Sequence, residues 1–314
     1  KQIRDFFKSF KIESLSYIPQ IYFILDNMTI PFDLIYDNNF FLLKFSSGYK
    51  IGGVPLNGIN FEEINNQQLQ IGASETNYNA LIIESINSTD PVKWNEKKNQ
   101  KELIYKFPAG SEELNFITSF FNEKAEISQL NALTGMKSTR DEILMNLSKD
   151  LYHVIIFVGN IFFSKLSPKN SFFLTNDNQI LTLNEIIKTL GQNDPKIRPF
   201  LFFNTQTFDI EGIKLKNVLK TFGEIVHQFD DNNITGILSR SFPLFNTMTK
   251  EIFANFFNNL LKKKSQGDSL LSARISVIQQ NMDSTSEKGT KKIDLRSSLA
   301  LSSYLLFGRP WSTI

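Results

Sequence analysis

The residue types that carry most catalytic and metal chemistry are scarce in this chain. Among its 314 residues there is no cysteine, and the only histidines are His153 and His227. Thiol catalysis, disulfides, iron–sulfur clusters and zinc–thiolate sites are therefore excluded. A three-histidine metal site is also excluded, and a site with two histidines and a carboxylate would need both imidazoles in one place. We predict no bound metal and no cofactor.

Neither histidine is a strong candidate for catalysis. His153 lies at the start of an apolar run, where packing at the start of a strand is the simpler interpretation. His227 ends a helical pattern, where a cation interacts favourably with the helix dipole. Thr205 could act as a nucleophile, but a hydroxyl needs a neighbouring base, and none is evident. A threonine-based hydrolase remains an alternative.

Motifs for nucleotides and cations are also weak. Neither GxGxxG nor the P-loop pattern GxxxxGK[ST] occurs in the chain. Residues 230–233, DDNN, could offer oxygen ligands to Ca²⁺, but they lack EF-hand spacing and are interpreted as a loop. Arg198 and Arg240 are the strand-end arginines that a nucleotide sensor would use. A small-ligand or nucleotide sensor is therefore a second alternative.

The charge and composition narrow the function classes further. Thirty-four Lys and Arg residues against 32 Asp and Glu give a net charge of +2, which is too balanced for a dedicated nucleic-acid binder. The longest apolar stretch, residues 151–163, is shorter than the roughly 20 residues that a membrane-spanning helix needs. We predict a cytoplasmic protein with neither a membrane nor a nucleic-acid partner.

The beginning of the chain carries no targeting signal. Its first ten residues, KQIRDFFKSF, lack the long apolar core of a secretory signal. The chain starts at Lys1 and not at Met. We interpret it as a processed product or as a piece of a longer polypeptide.

Four continuous apolar runs predict the strands that would position a site, and they lie at residues 78–85, 152–159, 198–204 and 234–240. Such runs are typical of parallel strands that are covered on both faces. Amphipathic segments predict helices at 111–124, 138–150, 181–191, 214–229 and 249–264. The second and third of these begin with capping boxes, Thr139 with Glu142 and Thr182 with Glu185. The alternation of strands and helices predicts an α/β domain.

The first 75 residues have a different pattern, with short extended pieces and a hairpin turn at residues 37–39. We predict that residues 1–75 form an antiparallel hairpin subregion attached to an α/β body at 76–314, the two making one continuous structural unit. The polar segments 94–102 and 283–292 predict loops. Most of the 30 phenylalanines fall within apolar runs, which indicates that they pack the core.

Six segments occur in an order that is more specific than any one of them: TIPFDLIYDNNFFLLKF (29–45), LTGMKSTRDEILMNLSKDLYHVIIFVGN (133–160), SFFLTNDNQILTLNEI (171–186), RPFLFFNTQTF (198–208), ITGILSRSFPLFNTMTKEIFANFFNNLLKKKSQGDSLLSARISV (234–277) and SYLLFGRPW (303–311). In this order they resemble a CHAT domain, the caspase-related module often carried at the end of helical-repeat proteins. The resemblance implies a caspase-like three-layer α/β sandwich with a mostly parallel central sheet, preceded by an N-terminal β-hairpin region.

The active members of this family use a thiol at the end of one strand and an imidazole at the end of its neighbour. The resemblance places the family histidine at Asn160 and the family cysteine at Gln206. A register shift of one or two residues would place Thr205 or Asn204 at the cysteine position, but no register supplies a cysteine. Amides neither transfer protons near neutral pH nor act as useful nucleophiles. The resemblance therefore implies that peptidase activity is absent.

The function implied by the resemblance is that of a catalytically inactive pseudoprotease, acting as a protein-interaction, scaffold or regulatory module. Its implied partners are proteins, such as an active peptidase or a sensor subunit of a bacterial or archaeal defence or regulatory assembly. Open α/β sheets bind ligands at the carboxyl ends of their strands. A groove there would be lined by Asn160, Asn204, Thr205 and Gln206. These side chains would either bind an extended protein segment or close the empty pocket.

Overall fold

The computed structural model describes residues 20–25, 36–37, 39–40, 45–51, 77–85, 93–95, 100–102, 110–149, 151–191, 197–209, 218–229, 234–240, 247–283, 301, 303–310 and 312–314. The strands are β1 Gln20–Leu25, β2 Tyr36–Asp37, β3 Asn39–Phe40, β4 Ser46–Ile51, β5 Tyr78–Ser85, β6 Lys93–Asn95, β7 Gln100–Glu102, β8 Ile127–Leu133, β9 Val154–Phe163, β10 Phe172–Leu174, β11 Ile180–Thr182, β12 Phe200–Asp209, β13 Gly236–Arg240 and β14 Tyr304–Phe307. The helices are α1 Gly110–Asn122, α2 Arg140–Leu147, α3 Leu183–Leu190, α4 Val218–Val226, α5 Thr247–Leu261 and α6 Gln266–Asp283.

A ten-stranded sheet forms the centre of the described structure, in the order β8–β5–β9–β12–β13–β14–β4–β1. Strands β10 and β11 extend this sheet beside the carboxyl half of β9. Neighbouring strands are parallel, except that β14 is antiparallel to β13 and β10 is antiparallel to both β9 and β11. The predicted α/β class with a mostly parallel central sheet is therefore confirmed.

Helices cover both faces of this sheet. We call the side that packs against α2, α3 and α4 the front face, and the side that packs against α1, α5 and α6 the back face. All ten residues of β9 are buried, as expected for a strand with helices on both sides. Along β9 the residues alternate between the two faces, so Ile155 and Phe157 lie in front and Ile156 and Val158 lie behind.

Phenylalanine packs both layers, as the composition predicted. On the front face the ring of Phe157 stacks between those of Phe173 and Phe203, with both centroid distances 5.1 Å. On the back face Phe121 and Phe253 belong to an edge-to-face and tilted cluster that joins α1 to α5. Such ring pairs contribute about 0.5–1.5 kcal/mol each beyond their buried area. Aromatic packing therefore holds both helix layers against the sheet.

The N-terminal region differs from the sequence-based prediction in one respect. Strands β2 and β3 form an antiparallel pair around residue 38, so the hairpin is present where it was expected. However, β1 and β4 are parallel to each other, and β4 joins the central sheet through Tyr49, opposite Phe307 of β14. The prediction of an antiparallel subregion was wrong for these two strands. Their short apolar pieces did not reveal direction, because strand direction depends on distant pairing partners.

The predicted helices lie where the periodicity indicated. The Thr139 hydroxyl accepts a hydrogen bond from the Glu142 backbone, and Thr182 and Glu185 form a complete capping box. The loop prediction for 94–102 was wrong, because β6 and β7 pair there as an antiparallel hairpin. The segment 283–292 lies outside the described residues after Asp283. Among the helices that the structure describes, none is long and apolar enough to cross a membrane.

Candidate functional site

The carboxyl edge of the central strands brings together the two positions that the sequence singled out. Strands β9 and β12 pair in parallel over their full length, and in this register Gln206 lies beside Asn160. Thr205 lies beside Gly159 in the same ladder. Because the two strands run side by side with no shift, residues distant in the sequence become neighbours at one edge of the sheet.

Asn160 lies at a junction in this sheet. The amino half of β9 pairs with β5 as far as Gly159, opposite Ser85, and the carboxyl half pairs with β10 from Ile161 onwards. Gly159 has φ +144°, and a Cβ there would lie 2.3 Å from the backbone oxygen of Ser85. Only glycine combines this backbone angle with such a close approach. The chain thus places Asn160 where β9 changes its neighbour.

Several polar atoms at this edge are buried and lack a hydrogen-bond partner among the described residues. They are the Asn160 Oδ1, the Thr205 Oγ1 and the Thr207 Oγ1 atoms. Each of these residues is 5% exposed or less. An unsatisfied buried polar group costs about 1–3 kcal/mol. Such atoms are available to a water molecule or to a hydrogen-bonding ligand.

The polar side chains of this edge do not all share one face. Alternation along β9 continues through Gly159, because Ile161 lies in the front cluster with Phe157. Asn160 therefore lies on the back face with Val158, and Thr205 lies on the front face with Phe203. The sheet itself separates the Thr205 hydroxyl from the Asn160 amide.

Asn204 belongs to a buried polar cluster on the back face. Its Nδ2 donates to Glu113 Oε2 at 3.3 Å, and its Oδ1 accepts from Arg240 Nη1 at 3.2 Å. Arg240 also forms an ion pair with Glu113, and the two side chains are 4% and 0% exposed. The cluster ties α1 to the carboxyl ends of β12 and β13. The Asn204 amide is therefore engaged in the interior.

Burial controls the acid–base behaviour of this cluster. Desolvation raises the pKa of Glu113 above its ordinary value, while the charge and hydrogen bond of Arg240 and the hydrogen bond of Asn204 oppose that shift. Burial also raises the pKa of the nearby Tyr304, whose hydroxyl donates to the Thr249 backbone oxygen at 3.3 Å. These groups act as a structural polar core beneath the edge.

The sequence reasoning missed Glu113, although a signal was present. Glu113 lies four residues before Ile117 and eight before Phe121, so it falls on the apolar stripe of α1. Its neighbour Glu112 lies off that stripe and is 68% exposed in its ion pair with Lys250. An acid within an apolar stripe indicates a buried partner of opposite charge.

Both histidines of the chain lie far from this edge. His153 immediately precedes β9 at the amino edge, where its Nδ1 accepts from the Asn79 backbone at 3.1 Å and its ring packs against Tyr78. At about 3.3 Å per strand residue, it is roughly 23 Å from Asn160. His227 is exposed and follows α4, where the chain returns towards the start of β13. No imidazole can therefore serve the carboxyl edge.

The other sequence candidates do not assemble into a second site. Arg198 precedes β12 at the amino edge, whereas Arg240 ends β13 at the carboxyl edge and is paired with Glu113. The oxygen-rich residues 230–233 lie outside the described part of the chain. Within the described residues, no group of three or more His, Cys, Asp or Glu side chains could hold a metal ion.

Comparison with known proteins defines the class of fold first. No family model matches the sequence, and no curated protein matches it. Solved structures do match, and with its sheet order and two helix layers the chain has a caspase-like α/β fold. At identities of 10% or less, these similarities show the fold alone.

The particular structures are cysteine proteases in two of three cases. The Arg-specific cysteine proteinase gingipain R matches with a TM-score of 0.54 and 10% identity, over 99% of this chain and 68% of that chain. A structure described as a protease matches at 0.52 and 8%, over 94% of this chain and 64% of that chain. The Drosophila initiator caspase Dronc matches at 0.33 and 9%, over 76% and 83%. The chain spans less than two thirds of the second structure.

Proposed function

We propose that this chain is a catalytically inactive, CHAT-type pseudoprotease that binds an extended protein segment at the carboxyl edge of its sheet. The observation that carries the proposal is the pairing of Asn160 with Gln206 on neighbouring strands, in a chain that has no cysteine. The resemblance to CHAT domains assigns the dyad to these two positions. Both histidines lie at the opposite edge, so no relocated imidazole supports hydrolysis there.

Binding without cleavage is a chemistry that an amide side chain supports well. An amide presents both a donor and an acceptor, which matches the alternating N–H and C=O groups of an extended backbone. The unpartnered Oδ1 of Asn160 would accept a hydrogen bond from a bound segment. The implied partner is a protein, such as an active peptidase or a sensor subunit in a defence or regulatory assembly.

The test has two parts. The chain is first incubated with a diverse peptide mixture, and mass spectrometry is used to search for new termini, of which we expect none. Peptides are then selected from a random display library, and their affinities are measured with the wild type and with Asn160→Leu. Because Leu has a similar volume and no polar atom, we expect affinity to fall about tenfold, the equivalent of one hydrogen bond.

The controls separate this proposal from its alternatives. His227→Trp at the amino edge should leave peptide binding unchanged, and circular dichroism should show that Asn160→Leu is folded. Peptide cleavage that Thr205→Ala abolishes would overturn the proposal in favour of a threonine-based hydrolase. Equal affinities of the wild type and Asn160→Leu would mean that the carboxyl edge only closes an old pocket.

A further inference from the structure

Strand β8 is an edge strand whose outer side is open. Within the described residues it pairs only with β5, and it is the last strand on that side of the sheet. An edge strand presents a row of unpaired N–H and C=O groups, which proteins usually protect with lysine, proline or a covering segment. Residues 127–133, ISQLNAL, contain neither proline nor any charged side chain. A β-bulge at Ser128 leaves residues 129–133 as its regular part.

The sequence of this strand is chemically symmetric about Leu130. Apolar residues stand at both ends, small residues next to them, and amides on either side of the centre: Ile127 and Leu133, Ser128 and Ala132, Gln129 and Asn131. If two copies of β8 paired antiparallel about Leu130, each residue would face one of its own kind. Two identical strands that cross a two-fold axis pair in this way.

The segments that flank β8 add a charge argument. Before the strand lie Glu123, Lys124 and Glu126, and after it lies the exposed Lys137. Antiparallel pairing brings the segment before β8 of one copy to the segment after β8 of the other. The acidic excess of one end thus meets the lysine of the other end. Within the strand no like charges would face each other, so nothing opposes self-pairing electrostatically.

We propose that β8 is a dimerisation edge, at which a second copy of this chain adds its own β8 antiparallel and extends the ten-stranded sheet across a two-fold axis. Back-face Leu130 meets Leu130 of the second copy, and Gln129 meets Asn131. Asn131 is already oriented on the front face, since its Nδ2 donates to Asn146 Oδ1 at 2.9 Å. This interface lies on the β8 side of the sheet and is independent of peptide binding near Asn160.

The first test is the association state of the full chain and of charged variants, measured by sedimentation velocity over a range of concentrations. The wild type is expected to dimerise. Gln129 of one copy lies diagonally across from Gln129 of the other, within reach of long side chains. Gln129→Lys and Gln129→Glu should each lose the dimer through like-charge repulsion, and an equimolar mixture of the two should regain it. The exposed Asn115→Lys on α1 is the matched control and should dimerise as the wild type does.

The second test uses the absence of native cysteine, which makes any introduced thiol unique. Leu130→Cys places two sulfurs near the proposed two-fold axis, and mild oxidation should yield a disulfide-linked dimer. The exposed Ser119→Cys on α1 should not cross-link. A chain that stays monomeric at all accessible concentrations overturns the proposal. So does a dimer that forms equally well in Gln129→Lys and cannot be cross-linked through Leu130→Cys.

Discussion

Gln206 lies beside Asn160 in the parallel register of β12 and β9. The pair follows the point at which β9 leaves β5, and Gly159 allows the close approach of Ser85 immediately before it. Caspase-like folds of the family that this chain resembles perform thiol chemistry with an imidazole on the adjacent strand. Here the same two places hold amides, which is the basis of the proposed binding function.

The adjacency of the two positions can be tested by introducing the missing groups. In Gln206→Cys the thiol is the only one in the chain, and its alkylation rate reports its thiolate fraction. Adding Asn160→His should raise the rate near neutral pH about tenfold, because a neighbouring imidazolium lowers a thiol pKa by about one unit or more. The measurement is the alkylation rate as a function of pH. Gln206→Cys with the distant Ser128→His is the control, and equal rates in both double variants would contradict the adjacency.

Gly159 is expected to tolerate no side chain. Its φ is +144°, and an added Cβ would lie 2.3 Å from the Ser85 backbone oxygen. Gly159→Ala should therefore lower the free energy of unfolding by more than the roughly 1–3 kcal/mol of backbone strain alone. Gly135 is the matched control, since its φ is +51° but nothing lies within 4 Å of a Cβ. Gly135→Ala should cost about 1–2 kcal/mol. Urea unfolding measures both, and similar losses would refute the packing argument.

The ion pair of Glu113 with Arg240 should show strong coupling. Glu113→Leu leaves the Arg240 guanidinium buried without its main acceptor, which typically costs about 3–5 kcal/mol. The double variant Glu113→Leu, Arg240→Met removes both charges and should recover most of that loss. Thermal and urea unfolding of the four proteins complete the cycle. Glu112→Gln, which breaks the exposed pair with Lys250, should cost less than about 1 kcal/mol.

The raised pKa of Glu113 predicts a specific pH dependence. A carboxyl whose pKa is higher in the folded than in the unfolded state favours folding most below its ordinary value of 4.5. This contribution is lost as the pH rises through the raised pKa. Relative to Glu113→Gln, the wild type should therefore lose free energy of unfolding as the pH rises from about 4 towards neutrality. A constant difference between the two proteins across this range would disprove the raised pKa.

Glu185 predicts the opposite sign. Although its partial burial raises the pKa, hydrogen bonds from the Thr182 backbone, Arg140 and the Thr182 hydroxyl outweigh it, and the pKa is lowered below 4.5. The stabilisation is present above 4.5 and is lost as the pH falls through the lowered pKa. Glu185→Gln should abolish this loss below pH 4.5. Thr182→Ala, which removes the cap of α3, should cost about 1 kcal/mol at neutral pH.

Much of the framework was predictable because it depends on local patterns. The apolar runs at 78–85 and 198–204 became β5 and the buried part of β12, and Thr182 with Glu185 started α3 as its spacing indicated. A strand or a helix cap is specified by residues a few positions apart, so the sequence displays it directly. The hairpin of β6 and β7 escaped this reasoning, since its polar residues have no apolar alternation.

The sequence by itself determined that no thiol and no three-histidine site can exist, that the sheet is covered on both faces, and that amides occupy the places where the resemblance puts the dyad. Only the tertiary structure decided that Gln206 lies beside Asn160, that β1 and β4 run parallel, and that Glu113 meets Arg240 inside the core. Composition and periodicity are properties of a segment. Strand register, strand direction and the pairing of buried charges depend on which distant segments pack together, and they are settled only when the whole core forms.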